Sequence, residues 1–162
     1  MSRKKPWNRV STPVYSISSR DTAGKANMNI ITYALPVSLT PNRFIIAVYR
    51  PSLTLEILRD QPRFVLQLLR EDQYRLTNLL GMHSGRITDK IGRLAKRKLL
   101  GEWKGFAVLK DCLAVMEMNI TSELETDGDH AIFHCQVNQF SNQREGQPLT
   151  LDTLRTHKMI RI

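Results

Sequence analysis

Residues 28–58 read MNIITYALPVSLTPNRFIIAVYRPSLTLEIL, and the order of signals in this stretch decides the fold class. An apolar, β-branched run (MNIITYALPVSL, 28–39) leads into a turn at LTPNR (39–43). A second run (RFIIAVYR, 43–50) follows, and then a helix that opens at Ser52. Ile, Val and Tyr suit a pleated, half-buried surface, and the Pro-Asn pair suits a turn. Pro36 has no N–H for a sheet ladder, so it belongs at a bulge, a bend or an edge.

The same pattern continues on both sides. PVYSISS (13–19), RFVLQLL (63–69), GFAVLKD (105–111), CLAVMEMNI (112–120) and AIFHCQVNQF (131–140) read as further strands. In the fourth of these, Cys112, Ala114, Met116, Met118 and Ile120 share one face, with Glu117, Asn119 and Thr121 on the other. Helical patterns fall between them: SLTLEILRDQP (52–62), EDQYRLTNLLGM (71–82) and ITDKIGRLAKRKLL (87–100). The last carries Ile87, Ile91, Leu94 and Leu99 on one side of a basic helix. Strands dominate, and there is no regular alternation of strand and helix. A mainly β barrel with a few peripheral α-helices is expected, not a doubly wound sheet.

The chain of 162 residues has room for one domain, expected to span 1–162, with a basic N-terminal segment at 1–12. Residues 1–10 and SNQREGQ (141–147) are the stretches expected to be mobile. No run approaches the roughly 18 apolar residues of a membrane span. MSRKKPWNRV has charge but no apolar segment behind it, so no signal peptide and a cytoplasmic location are expected. Cys112 and Cys135, both inside apolar runs, read as buried thiols.

The net charge of +9 is concentrated in two places. Residues 1–25 carry Arg3, Lys4, Lys5, Arg9, Arg20 and Lys25 against Asp21. Residues 86–104 carry Arg86, Lys90, Arg93, Lys96, Arg97, Lys98 and Lys104 against Asp89 and Glu102. Such patches attract an anion, whether nucleic acid, a membrane surface or a phosphorylated small molecule.

GDHAIFHCQ (128–136) places two histidines four apart. On a strand His130 and His134 share a face but sit roughly 13 Å apart, too far to chelate one metal ion. No G-x-S-x-G elbow and no Walker or Rossmann glycine pattern is present. Two segments have the makings of a phosphate cradle. YRPSLTLE (49–56) brings Arg50, Ser52 and Thr54 to a helix start, and HSGRITDK (83–90) brings Ser84, Gly85, Arg86 and Lys90. The plainer reading of Ser52 is a helix cap, and that of the second segment is a turn before a solvated basic face.

NIITYALPVSLTP (29–41), YRPSLTLEIL (49–58), FVLQLLREDQ (64–73), SGRITDKI (84–91) and GDHAIF (128–133) occur in an order that resembles the flavin reductase-like family of FMN-binding split β-barrels. PLTLDTLRTHKMI (148–160) is similar to the family's C-terminal tail. Gln67 stands where family members usually have Asn, Tyr33 where many have a small residue, and Ile91 where Phe is common.

The resemblance implies a homodimer that binds FMN, with FAD as the alternative flavin, and takes hydride from NAD(P)H. It also implies, in some members, a partner oxygenase that receives the reduced flavin. By the same resemblance Asn29, Thr32 and Tyr33 line the flavin ring, while Arg50, Ser52 and Thr54 hold the ribityl phosphate. Ser84, Gly85, Arg86 and Lys90 lie near that phosphate. Asp129 and His130 belong to a Gly-Asp-His motif whose histidine, the candidate catalytic residue, stands beside flavin and nicotinamide. Two other readings stay open: a ligand-binding barrel of the same fold without turnover, and a basic nucleic-acid-binding barrel. The second is disfavoured because only Trp103 interleaves with the cations of 86–104 to stack bases.

Overall fold

In a computed structural model, residues 5–160 are described; Arg3 and Lys4 of the basic N-terminus lie outside them. Seven strands form one antiparallel sheet: β1 (Tyr15–Arg20), β2 (Ala26–Ile31), β3 (Ala34–Leu39), β4 (Asn42–Tyr49), β5 (Arg63–Leu68), β8 (Ala114–Leu124) and β9 (His130–Asn142). Strands β6 (Leu100–Trp103) and β7 (Phe106–Leu109) pair as a separate hairpin. The helices are α1 (Leu53–Asp60), α2 (Leu76–Met82), α3 (Lys90–Lys96) and α4 (Leu151–Thr156).

The spatial order of the large sheet is β2-β1-β5-β8-β9-β4-β3. The two outermost strands, β2 and β3, are consecutive in the chain and separated only by Thr32 and Tyr33. The sheet must therefore curl until its margins meet, which makes a split barrel. The Ala47 N–H donating to the Tyr33 carbonyl at 2.9 Å ties this junction to β4.

The run 28–39, expected as one strand, is thus two, interrupted where the chain passes from one margin to the other. Pro36 sits on the edge strand β3 at a register shift between Pro36 and Ser38, as its missing N–H requires.

Alternation along the strands feeds two cores. Tyr15, Ile17, Ile31, Ile46, Val48, Phe64, Leu66, Met118 and Phe133 fill the barrel. Their neighbours Val14, Met28, Val65, Leu69 and Val115 point outward. There they are covered by Leu76 and Leu80 of α2, Leu94 of α3, Phe106 and Val108 of the hairpin, and Leu154 of α4. Both sheet faces are therefore apolar over much of their length. Glu117 is buried as well, paired with Arg63. Gln67 is fully buried, and its Oε1 accepts the Leu109 N–H at 2.6 Å, fastening the hairpin to the barrel.

Two helical expectations need correction. The 87–100 helix is confined to α3. Ser84 O accepts from the N–H groups of Ile87 and Thr88, which makes a turn, and Asp89 then caps the helix by accepting from the Gly92 N–H at 2.8 Å. Ile87 is 89% exposed and does not join the apolar side. Lys98, with φ 57°, ends the helix, and β6 begins two residues later. The 71–82 segment divides into a 3-10 turn (Glu71–Arg75) and α2. The C-terminal stretch forms α4, capped by Thr150.

The 141–147 stretch is anchored. Gln143 and Arg144 donate to the Leu113 carbonyl, and Gln147 O accepts from the Glu71 N–H. Cys112 and Cys135 are buried as expected, and burial pushes their thiols up to about 11 and about 12.

Candidate functional site

The barrel seam, the start of α1 and the turn before α3 meet on one side of the molecule. Asn27 and Asn29 share the face of β2 opposite Met28 and reach toward α1, where Thr54 waits in its first turn. The buried Thr54 hydroxyl accepts from Asn27 Nδ2 at 3.1 Å and Asn29 Nδ2 at 3.3 Å. Ser52 caps α1: its hydroxyl accepts from the Leu55 N–H at 3.2 Å and donates to Tyr49 O at 2.7 Å. The cap and the network fix the first turn of α1 against the seam.

Two connected cavities line this side. One, of about 260 Å³, is bounded by Asn29, Thr32, Tyr33, Tyr49, Thr54 and His130. The other, of about 390 Å³, is bounded by Asn27, Asn29, Ser52, Thr54, Ser84 and Lys90, with Gly85 in its wall. Asn29, Ile30, Tyr49 and Thr54 belong to both, so the two form one cleft with an aromatic end and a hydroxyl- and ammonium-lined end.

At the aromatic end, His130 opens β9 opposite Tyr49 of β4. The His130 ring lies 5.0 Å from that of Tyr33, edge to face, and 5.4 Å from that of Tyr49. Its Nδ1 is 2.6 Å from Asp129 Oδ1, and the hydrogen bond lowers the Asp129 carboxyl below its usual range. A carboxylate there accepts from Nδ1–H, which leaves Nε2 outside this hydrogen bond.

At the other end, Gly85 is where two segments touch. A Cβ there would lie 2.5 Å from Asn27 Oδ1, so a larger residue would displace the Asn27 amide that Thr54 holds. Lys90 is 4% exposed, and its Nζ donates to Leu80 O at 2.6 Å and Met28 O at 3.2 Å. Burial pulls the ammonium down from 10.5 to about 8. Two of its three N–H bonds are used, and Lys90 is part of the cleft wall.

Nine of the twelve residues singled out from the sequence line this cleft: Asn29, Thr32, Tyr33, Ser52, Thr54, Ser84, Gly85, Lys90 and His130. Arg50 does not. Its guanidinium donates to Gly128 O and Thr126 O at 2.7 Å each, bracing the β8–β9 turn. Arg86 forms an ion pair with Glu56, which lowers the Glu56 carboxyl, and lines an adjoining cavity of about 520 Å³ that shares Asn27, Leu53, Gly85 and Lys90 with the cleft. Asp129 acts behind His130 and lies outside the cleft lining.

Sequence reading missed Asn27, Tyr49 and His83 as lining residues. Asn27 was detectable, being two residues before Asn29 on the same strand face. His83 carried no such signal.

The donor set suits a phosphorylated aromatic ligand. The N–H groups at the start of an eight-residue helix, the Ser52 and Ser84 hydroxyls and an ammonium gather at one end, and three aromatic rings at the other.

A family model for the flavin reductase like domain matches residues 7–158. A Nostoc sp. protein described as diflavin flavoprotein A 2 is 28% identical over 156 residues, 96% of this chain. The chain spans only 26% of that protein's length. An FMN-binding protein from Thermus thermophilus superposes with a TM-score of 0.75 at 20% identity, over 91% of this chain and 84% of its own. The styrene monooxygenase flavin reductase of Pseudomonas putida S12 gives 0.72 at 19% identity, over 86% and 85%. With the family match running through both margins of the barrel and the cleft between them, the chain belongs to the flavin reductase-like domain family.

Proposed function

We propose that the cleft binds FMN, with its ring between Thr32, Tyr33, Tyr49 and His130 and its phosphate at Ser52, Ser84 and Lys90, and that the protein passes hydride from NAD(P)H to this flavin. The observation that carries the reading is the continuity of the two cavities, aromatic at one end and phosphate-adapted at the other. Bound flavin would supply the two-electron acceptor. The chain's own part is positional. The asparagine–threonine network holds β2 and α1 at a fixed separation, and Gly85 lets the phosphate-side turn close in. His130, oriented by Asp129, places Nε2 where negative charge develops on the ring.

A homodimer belongs to this reading. The β3 margin presents Leu35 and Leu39 to solvent, 62% and 87% exposed, on a strand with one unpaired edge. A second copy is the occupant that would cover it. The same reading includes a partner oxygenase that takes up the reduced flavin.

The test is the visible spectrum of the purified protein, reconstituted with FMN and then mixed anaerobically with NADH or NADPH. Flavin bands that bleach support the reductase. Bands that stay would make the protein a flavin carrier, and no FMN uptake would refute the site.

A further inference from the structure

We infer that a cavity at the β1–β2 turn, separate from the cleft, is a binding site for a free α-amino acid with a polar side chain. The cavity, of about 420 Å³, is bounded by Arg20, Asp21, Thr22, Gln61, Phe106 and Asn119. It forms where β1 ends at Arg20, α1 gives way to β5 at Gln61, and β7 opens at Phe106. It shares no lining residue with either part of the cleft, so the inference is independent of the flavin reading. Its size falls in the range that takes a small molecule, roughly 300–1,000 Å³.

The first observation is an unmatched pair of charges. Arg20 and Asp21 are neighbours in the chain and both line the cavity. Yet among the described residues neither takes part in an ion pair, with each other or with any other group. Asp21 is held by the turn it starts, one carboxylate oxygen accepting the Lys25 N–H at 2.8 Å. The other cation in the wall, Arg63, is matched by Glu117. One guanidinium and one carboxylate therefore face the same space. Their complement is a molecule that carries a carboxylate and an ammonium close together.

The second is that Arg20 is held in place. Its guanidinium carbon lies 4.5 Å from the centroid of the buried Phe106 ring. Gly105, with φ 78°, makes room for it: a Cβ there would lie 3.2 Å from Arg20 Nη1. A guanidinium packed by its face on a ring keeps its N–H edge for a carboxylate in its own plane.

The third is the rest of the wall. Thr22, Gln61 and Asn119 bring a hydroxyl and two carboxamides to the cavity, with Pro62 and Phe106 as apolar surface. Asn119 Nδ2 donates to Ile120 O at 3.3 Å, which keeps its Oδ1 as an acceptor. Such groups exchange hydrogen bonds with a polar side chain, a carboxamide above all. The simpler account, a packed arginine and a turn aspartate each solvated on its own, predicts no preference for the zwitterion over its separate halves.

The experiment titrates the full chain by calorimetry with L-glutamine, acetate and methylammonium, at neutral pH and constant ionic strength. Arg20→Met and Asp21→Asn are titrated alongside, with circular dichroism to confirm folding. Asp21→Asn removes the charge but keeps an acceptor for the Lys25 N–H. L-glutamine is expected to bind at least about tenfold more tightly than acetate or methylammonium, since only it engages both charges. Each substitution should weaken L-glutamine binding by about tenfold or more, while FMN affinity, followed by quenching of flavin fluorescence, stays within about twofold. No saturable binding of L-glutamine, equal affinity for L-glutamine and either half, or folded variants that bind it as tightly as the unaltered chain would overturn the inference and leave the flavin cleft intact. Absence of FMN uptake would refute the cleft reading and leave this inference standing.

Discussion

Lys90 gives the most direct test of the local physics, because its ammonium is buried against two carbonyls with no carboxylate partner. A lysine held at about 8 in the folded chain and near 10.5 when unfolded loses its proton first in the folded state. Between those values the unfolded chain holds the extra proton, so folding stability rises with pH. The gain is about 1.4 kcal/mol per pH unit, or about 2 kcal/mol between about pH 8 and about pH 9.5.

The two buried thiols work the other way. Cys112 and Cys135 stay protonated when folded but ionise near pH 8.5 when unfolded, so their share of the stability falls as pH rises. The raw profile of the protein therefore mixes opposing slopes. The difference between the protein and its Lys90→Met variant cancels the thiols and isolates the lysine.

Urea unfolding of both chains, followed by tryptophan fluorescence at about pH 7 and about pH 9.5, should show the protein gaining about 2 kcal/mol relative to the variant. That gain is a shift in midpoint of roughly 1 M at a typical denaturant slope. Parallel profiles for the two chains would mean that Lys90 keeps an ordinary proton affinity, and the argument from its burial would fail.

Thr54→Val removes the acceptor shared by two asparagine amides. It should cost roughly 2 kcal/mol, seen as a fall of roughly 4–8 °C in thermal midpoint; an unchanged midpoint would show that the network carries no stability. Gly85→Ala places a Cβ against Asn27 Oδ1 and should cost about 1–3 kcal/mol and weaken FMN binding in a fluorescence titration, whereas a neutral substitution would contradict the close approach. His130→Ala should leave the thermal midpoint nearly unchanged but slow NAD(P)H-driven bleaching of bound flavin by roughly 10²-fold. Stopped-flow rates equal to those of the unaltered chain would remove His130 from the reaction.

The strands were legible because alternation and β-branching are local. RFIIAVYR and RFVLQLL lie within a residue or two of β4 and β5. The break at Thr32–Tyr33 was not legible, since nothing in those two residues forbids a continuous strand; the break comes from closing the barrel. The shortening of the third helix was also hidden. Ile87 matches helical spacing, yet the Ser84 turn and the Asp89 cap decide where the helix begins. At the site, Ser84, Thr54 and His130 have short side chains that stay near their own backbone, and they fell in the cleft lining. The arginines reached other partners. Arg50 and Arg86 have long side chains, and their targets, the Thr126–Gly128 carbonyls and Glu56, are distant in sequence. His83 owes its place to the meeting of α2 with the following turn, which only the tertiary structure sets.

The two-residue link between β2 and β3 has a consequence for how the protein would respond to a ligand. Thr32 and Tyr33 are at once the clasp that keeps the sheet rolled and the floor of the aromatic end of the cleft. A ligand gripping them holds the clasp shut. Protection from hydrogen exchange on binding should then reach along both margins, down β2 and out along β3, well past the residues the ligand touches.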